Sequence, residues 1–158
     1  MFETLILLAL GISTAAAAPM IGPDYWVGLG RERDLQYSPK EYARQIEVRV
    51  GNLGAPGQDE QLVTLVVSLN GRDVCSISKA IPPPAPRRTT EPLAFQVTYP
   101  SPINGSPRGR LVTYRLVATV QPAADGTPNE DQNLSNNRFE GELKFPAGGK
   151  AQCLVLER

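Results

Sequence analysis

A chain of 158 residues is long enough for one domain with a hydrophobic core and too short for two domains of ordinary size. Its 16 basic and 16 acidic residues balance, which argues against nucleic-acid binding and against a polybasic membrane-binding surface. The sequence contains no histidine, so the usual serine and cysteine triads are excluded, and we predict neither enzyme activity nor a cofactor.

The first segment of the chain has the pattern of an export signal. Residues 5–18 are almost wholly apolar, and residues 15–18 are the small alanines that signal peptidase requires. We predict a signal peptide over residues 1–17, a short lead over 18–22, and a secreted or periplasmic mature protein. The apolar run has about 14 residues against the roughly 20 of a membrane-spanning helix, so we expect no transmembrane segment in the mature chain.

Alternating apolar and polar residues, separated by some of the 14 glycines and 15 prolines, are typical of strands joined by turns. Asn70-Gly71 predicts a two-residue hairpin, because both positions of a type I′ turn need positive φ. Residues 31–44 carry no apolar stripe and are predicted as a long connection, and the proline-rich residues 81–90 are predicted as extended polyproline II. The predicted strands cover residues 23–27, 46–50, 62–69, 72–78, 93–99, 114–120 and 139–145, with an extra strand at 151–156.

This succession predicts an all-β fold, a seven-stranded antiparallel immunoglobulin-like β-sandwich with a short C-terminal extra strand. The two cysteines, Cys75 and Cys153, are expected to form a disulfide in an oxidising compartment. It would link residues 146–158 to the sandwich. The alternative is two buried free thiols.

Four features follow one another along residues 23–145. They are the opening Pro23-Asp24, the sequence Val50-x-Asn52-x-Gly54, the strand that begins at Tyr114, and the tract Asp131-x-Asn133-x-x-Asn136-Asn137. In this order they resemble the cell-adhesion-related domain of bacteria (CARDB), an immunoglobulin- or fibronectin-like sandwich. The resemblance implies this fold and, as an expectation, an adhesion-type role. Leu134 stands where the family usually carries a second acidic residue.

Asparagines at the strand ends are expected to shape the loops, because their side chains bond to nearby backbone. This structural role is predicted for Asn52, Asn133, Asn136 and Asn137.

The acidic residues of the same tract allow another interpretation, a weak calcium site with hard oxygen ligands from Asp125, Glu130 and Asp131. Their spacing does not reproduce an EF-hand loop. We therefore predict no metal ligand, and calcium binding remains an alternative.

Strands of alternating direction place the second-to-third, fourth-to-fifth and sixth-to-seventh connections at one end of the sandwich, where recognition commonly occurs. Solvated surface charges that neutralise one another are the alternative interpretation. The charged candidates for recognition are Asp59, Glu60, Arg87, Arg88, Asp125, Glu130 and Asp131.

These observations together favour an exported, non-enzymatic binding, adhesion-type or accessory module of the bacterial envelope or extracellular space. Its expected partner is a protein or a surface glycan. One alternative is a structural subunit joined to an assembly by strand addition at a sheet edge. A second alternative is a calcium-stabilised domain.

Overall fold

Alternation of apolar residues with a period of two gives the chain its strands. The computed structural model describes residues 22–35, 41–100, 111–124, 130–146 and 152–156, so the predicted signal peptide lies outside the described residues. A single 3-10 turn, Leu134–Asn136, accompanies the strands of this part of the chain. The strands are β1 (Tyr25–Leu35), β2 (Glu41–Asn52), β3 (Gln61–Leu69), β4 (Arg72–Ile81), β5 (Arg88–Thr89), β6 (Leu93–Pro100), β7 (Leu111–Pro122), β8 (Arg138–Pro146) and β9 (Gln152–Leu156).

Two antiparallel sheets form the fold. The first has the order β1-β2-β6-β9, with the two-residue β5 paired to the end of β2, and the second has the order β4-β3-β7-β8. The predicted all-β sandwich is confirmed. The hairpin predicted at Asn70-Gly71 joins β3 to β4, and its two residues have φ values of 51° and 77°.

The core lies between the sheets and comes from alternate residues of facing strands. Ile46, Val48 and Val50 of β2 are fully buried, as are Leu65 of β3 and Phe95 of β6. Burial of each such side chain contributes about 1.5 to 3 kcal/mol to folding. The inner faces therefore provide the rigid base from which the loops extend.

The prediction that residues 31–44 form a long connection is wrong. β1 continues to Leu35 and β2 already begins at Glu41, and the two pair over most of their length despite a register shift between Leu29 and Glu32. An ion pair of 3.5 Å joins Arg44 to Glu32 across them. Backbone pairing and cross-strand charges stabilise these paired strand segments. Their sequence has no alternating apolar residues from which strands could be predicted.

The disulfide predicted between Cys75 and Cys153 is confirmed. Cys75 belongs to β4, at the edge of the second sheet, and Cys153 belongs to β9, at the edge of the first. β9 also pairs with β6 over five residues. The bond therefore joins the two sheets along one side of the sandwich.

Candidate functional site

Strand direction gathers one set of loops at one end of the sandwich. Tyr25 at the start of β1 pairs with Asn52 at the end of β2, and Gln61 at the start of β3 pairs with both Ile81 and Pro122, near the ends of β4 and β7. We call this the loop end. Its described residues are 22–24, 53–60, 82–92, 123–124 and 130–137.

Asn52 joins three segments of the loop end. Its side chain is fully buried. Its Oδ1 accepts hydrogen bonds from the backbone N–H groups of Asp24 (3.1 Å) and Gly54 (2.9 Å). Its Nδ2 donates to the carbonyl oxygens of Ala55 (2.8 Å) and Pro84 (3.2 Å). One amide thus satisfies backbone groups that burial would otherwise leave unpaired.

Asp131 fastens the last connection to the start of β1. Its Oδ2 accepts a hydrogen bond of 2.9 Å from the backbone of Tyr25, and its Oδ1 accepts one of 2.9 Å from the backbone of Asn133. The neighbouring backbone N–H of Gln132 donates to the carbonyl of Pro23 at 3.0 Å. Both carboxylate oxygens of Asp131 are therefore engaged in holding the loop.

The remaining asparagines of the tract have different roles. Asn136 Nδ2 donates to the carboxylate of Asp24 at 2.8 Å, and the carbonyl of Asn137 accepts a bond of 3.0 Å from β7. Asn133 is exposed, and its Oδ1 accepts a hydrogen bond of 2.6 Å from Ser135 within the turn. Asn136 and Asn137 therefore connect elements, whereas Asn133 shapes the turn locally.

Two glycines permit the close packing of the loop end. A Cβ on Gly54 would overlap the carbonyl oxygen of Gly22 and lie 2.7 Å from the backbone nitrogen of Asp24. A Cβ on Gly57 would overlap the hydroxyl of Tyr25. Neither glycine has positive φ, so close approach, and not turn geometry, requires glycine here.

A buried tyrosine lies beneath the acidic side of the loop end. The Tyr25 hydroxyl and Gln61 Oε1 are buried without a hydrogen-bond partner, and both residues line a cavity of about 10 Å³ together with Asp59 and Glu130. Burial raises the pKa of Tyr25, and the negative charges of Asp131, Asp59 and Glu130 raise it further. The environment therefore favours the neutral phenol.

The charged residues predicted for recognition surround this rigid base. Asp59, Glu60, Arg87, Arg88 and Glu130 are exposed, and none of them forms an ion pair within the described ranges. The structure thus brings them to the loop end, while Asp131 is buried beneath as a structural anchor.

Asp125 lies outside the described residues, so its position relative to this charged surface is not assigned.

The proline-rich segment departs from the predicted polyproline II conformation in its second half. Residues 88–89 form β5 and pair with the end of β2. The backbone N–H of Arg87 donates to the carbonyl of Asn52 at 2.6 Å, and that of Arg88 donates to Ala85 at 3.0 Å. The prediction that residues 81–90 are extended polyproline II is therefore wrong at β5, because the turn after the prolines returns the chain to the sheet.

The described ranges contain neither a cluster of metal ligands nor a membrane-spanning helix. Within them, no group of three or more Asp, Glu or Cys residues is arranged to hold a metal ion. Nor does any helix there have the length and apolar character needed to cross a bilayer. Calcium binding remains an untested alternative.

No family model matches the sequence, and no curated protein matches it. Among solved structures, the chain is similar to the CARDB domain of the PF1109 protein from Pyrococcus furiosus, solved with di-metal ions. The two are 18% identical with a TM-score of 0.44, over 81% of this chain and 92% of that one.

Two further structures are similar to this chain. A candidate beta-galactosidase of Bacteroides fragilis is 16% identical, with a TM-score of 0.45 over 75% of this chain and 15% of that one. A candidate ApaA protein of Bordetella pertussis is 17% identical, with a TM-score of 0.39 over 89% of this chain and 99% of that one. A CARDB domain is thus among the similar structures, as the sequence resemblance suggested. These likenesses concern fold alone.

Proposed function

We propose that this protein is an exported, non-enzymatic binding domain that recognises a protein or a surface glycan through its loop end. The observation that carries the proposal is that Asn52 and Asp131 hold separate segments together by hydrogen bonds, beneath exposed charges that form no ion pair within the described ranges. A preordered surface loses little conformational entropy when it binds. Loops that a sandwich holds in this way are a frequent place for recognition.

The disulfide between Cys75 and Cys153 supports export, because such bonds persist in oxidising compartments. We expect the protein isolated from its native host to begin at residue 18 and to be found in the periplasmic or culture fraction. N-terminal sequencing of the fractionated protein checks this. An uncleaved chain in the cytoplasmic fraction would contradict export.

Site-specific crosslinking in the native host tests recognition by the loop end. A photoreactive benzophenone amino acid would replace Asp59 at the loop end or, as the matched control, Asp73 at the opposite end; both aspartates are exposed. We expect a discrete, saturable crosslinked product from position 59 and none from position 73. Equal products from the two positions, or none from either, would argue against the proposal.

The alternative of a structural subunit rests on the sheet edges. In the described part of the chain, β1, β4, β8 and β9 each pair on one side only, so another strand could be added at these edges. If this alternative holds, the purified protein forms ordered polymers, or a stable complex that is lost when residues 151–156 are deleted. Light scattering after gel filtration separates these outcomes from a monomer.

The calcium alternative is tested by thermal unfolding with added calcium and with a chelator. A calcium-stabilised domain would melt at a lower temperature in the chelator. An unchanged midpoint would dispose of this alternative.

A further inference from the structure

A concave apolar surface lies beside the charged part of the loop end. Residues 81–85 line one side of it, and residues 88–91 with Leu93 line the other. We call it the proline groove. Its volume is about 500 Å³, within the range typical of ligand-binding clefts.

Hydrogen bonds hold the proline groove in shape. The carbonyl of Pro84 accepts from Asn52 Nδ2 at 3.2 Å, and the carbonyl of Asn52 accepts from the backbone of Arg87 at 2.6 Å. Beyond the turn, the backbone N–H of Thr90 donates to the carbonyl of Val50 at 2.8 Å. Both sides of the groove are therefore fixed to the end of β2, and a ligand would not have to order them.

The turn of the proline groove contains an unusual conformation. Arg87 has a φ of 57°, a left-handed value that is strained for a non-glycine residue. The flanking bonds from Arg87 to Asn52 and from Arg88 to Ala85 hold it there. Arg88 lines the groove, and Arg87 directly precedes it in the strained turn; both arginines are exposed.

The chemistry of the proline groove selects its occupant. Pro82, Pro83 and Pro84 have no backbone N–H, so this wall offers apolar surface and carbonyl oxygens but no main-chain donors. Sugars, which need many polar partners, would find few on it. Arg87 and Arg88 form no ion pair in the described part of the chain, and guanidinium groups pair well with carboxylates.

We propose that the proline groove binds an extended, acidic segment of a partner protein, with its apolar side chains on the prolines and its carboxylates on Arg87 and Arg88. This inference rests on the proposed function and refines it, because it selects a protein partner over a glycan. Glu91 also lines the groove and reduces the local positive charge. Ion pairing with the arginines is therefore not sufficient, and tight binding of the segment also requires apolar contact with the prolines.

The test uses the full mature chain and fluorescein-labelled octapeptides in a fluorescence anisotropy titration. The probe has alternating leucine and glutamate; its controls replace every leucine by serine or every glutamate by lysine. We expect saturable binding of the leucine–glutamate peptide, and at least about tenfold weaker binding of either control. Added salt should also weaken binding of the probe.

The double variant Arg87→Ala/Arg88→Ala should weaken binding of the probe by at least about tenfold. The matched control is Arg72→Ala, an exposed arginine at the opposite end of the sandwich, which should bind as the natural chain does. Thermal unfolding of each variant checks that it is folded. Pro82→Ser, at an exposed position of the apolar wall, should also weaken binding.

Unsaturable binding of the probe, or equal binding by the double arginine variant, would overturn the inference. Self-association of the chain that the double variant abolishes would also overturn it, because a second copy would then occupy the groove. If any of these results occurs while crosslinks from position 59 persist, binding of an acidic segment in the proline groove is refuted and the proposed function stands. Absence of crosslinks from position 59 while the probe still binds would argue against the proposed function as stated and would leave peptide binding in the groove standing.

Discussion

Asn52 is fully buried and uses both atoms of its amide, whereas Asn133 is exposed and bonds within its own turn. Replacement of Asn52 by alanine would remove the hydrogen-bond partner of the buried backbone groups of Asp24 and Pro84 and of the partly buried backbone N–H of Gly54. We expect Asn52→Ala to lower the free energy of unfolding by about 3 kcal/mol. Urea denaturation measures the loss.

The matched control for this prediction is Asn133→Ala. The side chain of Asn133 is exposed and its partner is Ser135, so the expected loss is below about 0.5 kcal/mol. Similar losses for the two variants would contradict a special role for Asn52.

The buried hydroxyl of Tyr25 predicts a pH dependence of stability. Its folded pKa is raised above 10.0, first by burial and then by Asp131, Asp59 and Glu130. The phenol therefore ionises more readily in the unfolded chain. Its contribution to stability is complete below the unfolded pKa and is lost as the pH rises through the folded pKa.

Tyr25→Phe removes this ionisation. We expect the natural chain to lose more unfolding free energy than the variant between about pH 8 and about pH 11. Only the natural chain has a phenol at position 25 that releases a proton when the chain unfolds in this range. Urea titrations of the two proteins across this range provide the difference. Parallel pH profiles would show that the phenol ionises equally in both states.

At the scale of elements, β9 depends on its disulfide as well as on its pairing with β6. The bond joins residues 78 positions apart, and closing a loop of this size stabilises a fold by about 4 to 5 kcal/mol on the chain-entropy model. We expect a Cys75→Ser/Cys153→Ser variant to lose stability of this order in urea. Reduction of the natural chain should reproduce the loss, and a change below about 1 kcal/mol would contradict the prediction.

The strands that sequence reasoning located best are those with a buried face. In β2 the alternating apolar residues Ile46, Val48 and Val50 face the core, so their period was visible. The second half of β1 was missed because its residues are largely polar and exposed, and cross-strand pairing with β2 supports them. β5 was missed because two residues are too few to show a period.

At the scale of the whole molecule, alternating strand directions sufficed to gather the charged loops at one end. The hydrogen bonds between those loops were not predictable, because they join residues that are far apart in the chain. Asn52 and Pro84 are 32 positions apart, and Tyr25 and Asp131 are 106 apart. Gly54 shows the same limit, because the residues that require a glycine there, Gly22 and Asp24, are distant from it in the sequence.

The disulfide between the two sheets also determines how the molecule would respond to mechanical tension. If force were applied at residues 22 and 156, the chain between Cys75 and Cys153 could not be drawn out, because the bond transmits the load across it. Extension would be confined to the segment before Cys75. Reduction of the bond should add about 270 Å of extensible chain, a step that optical tweezers can measure directly.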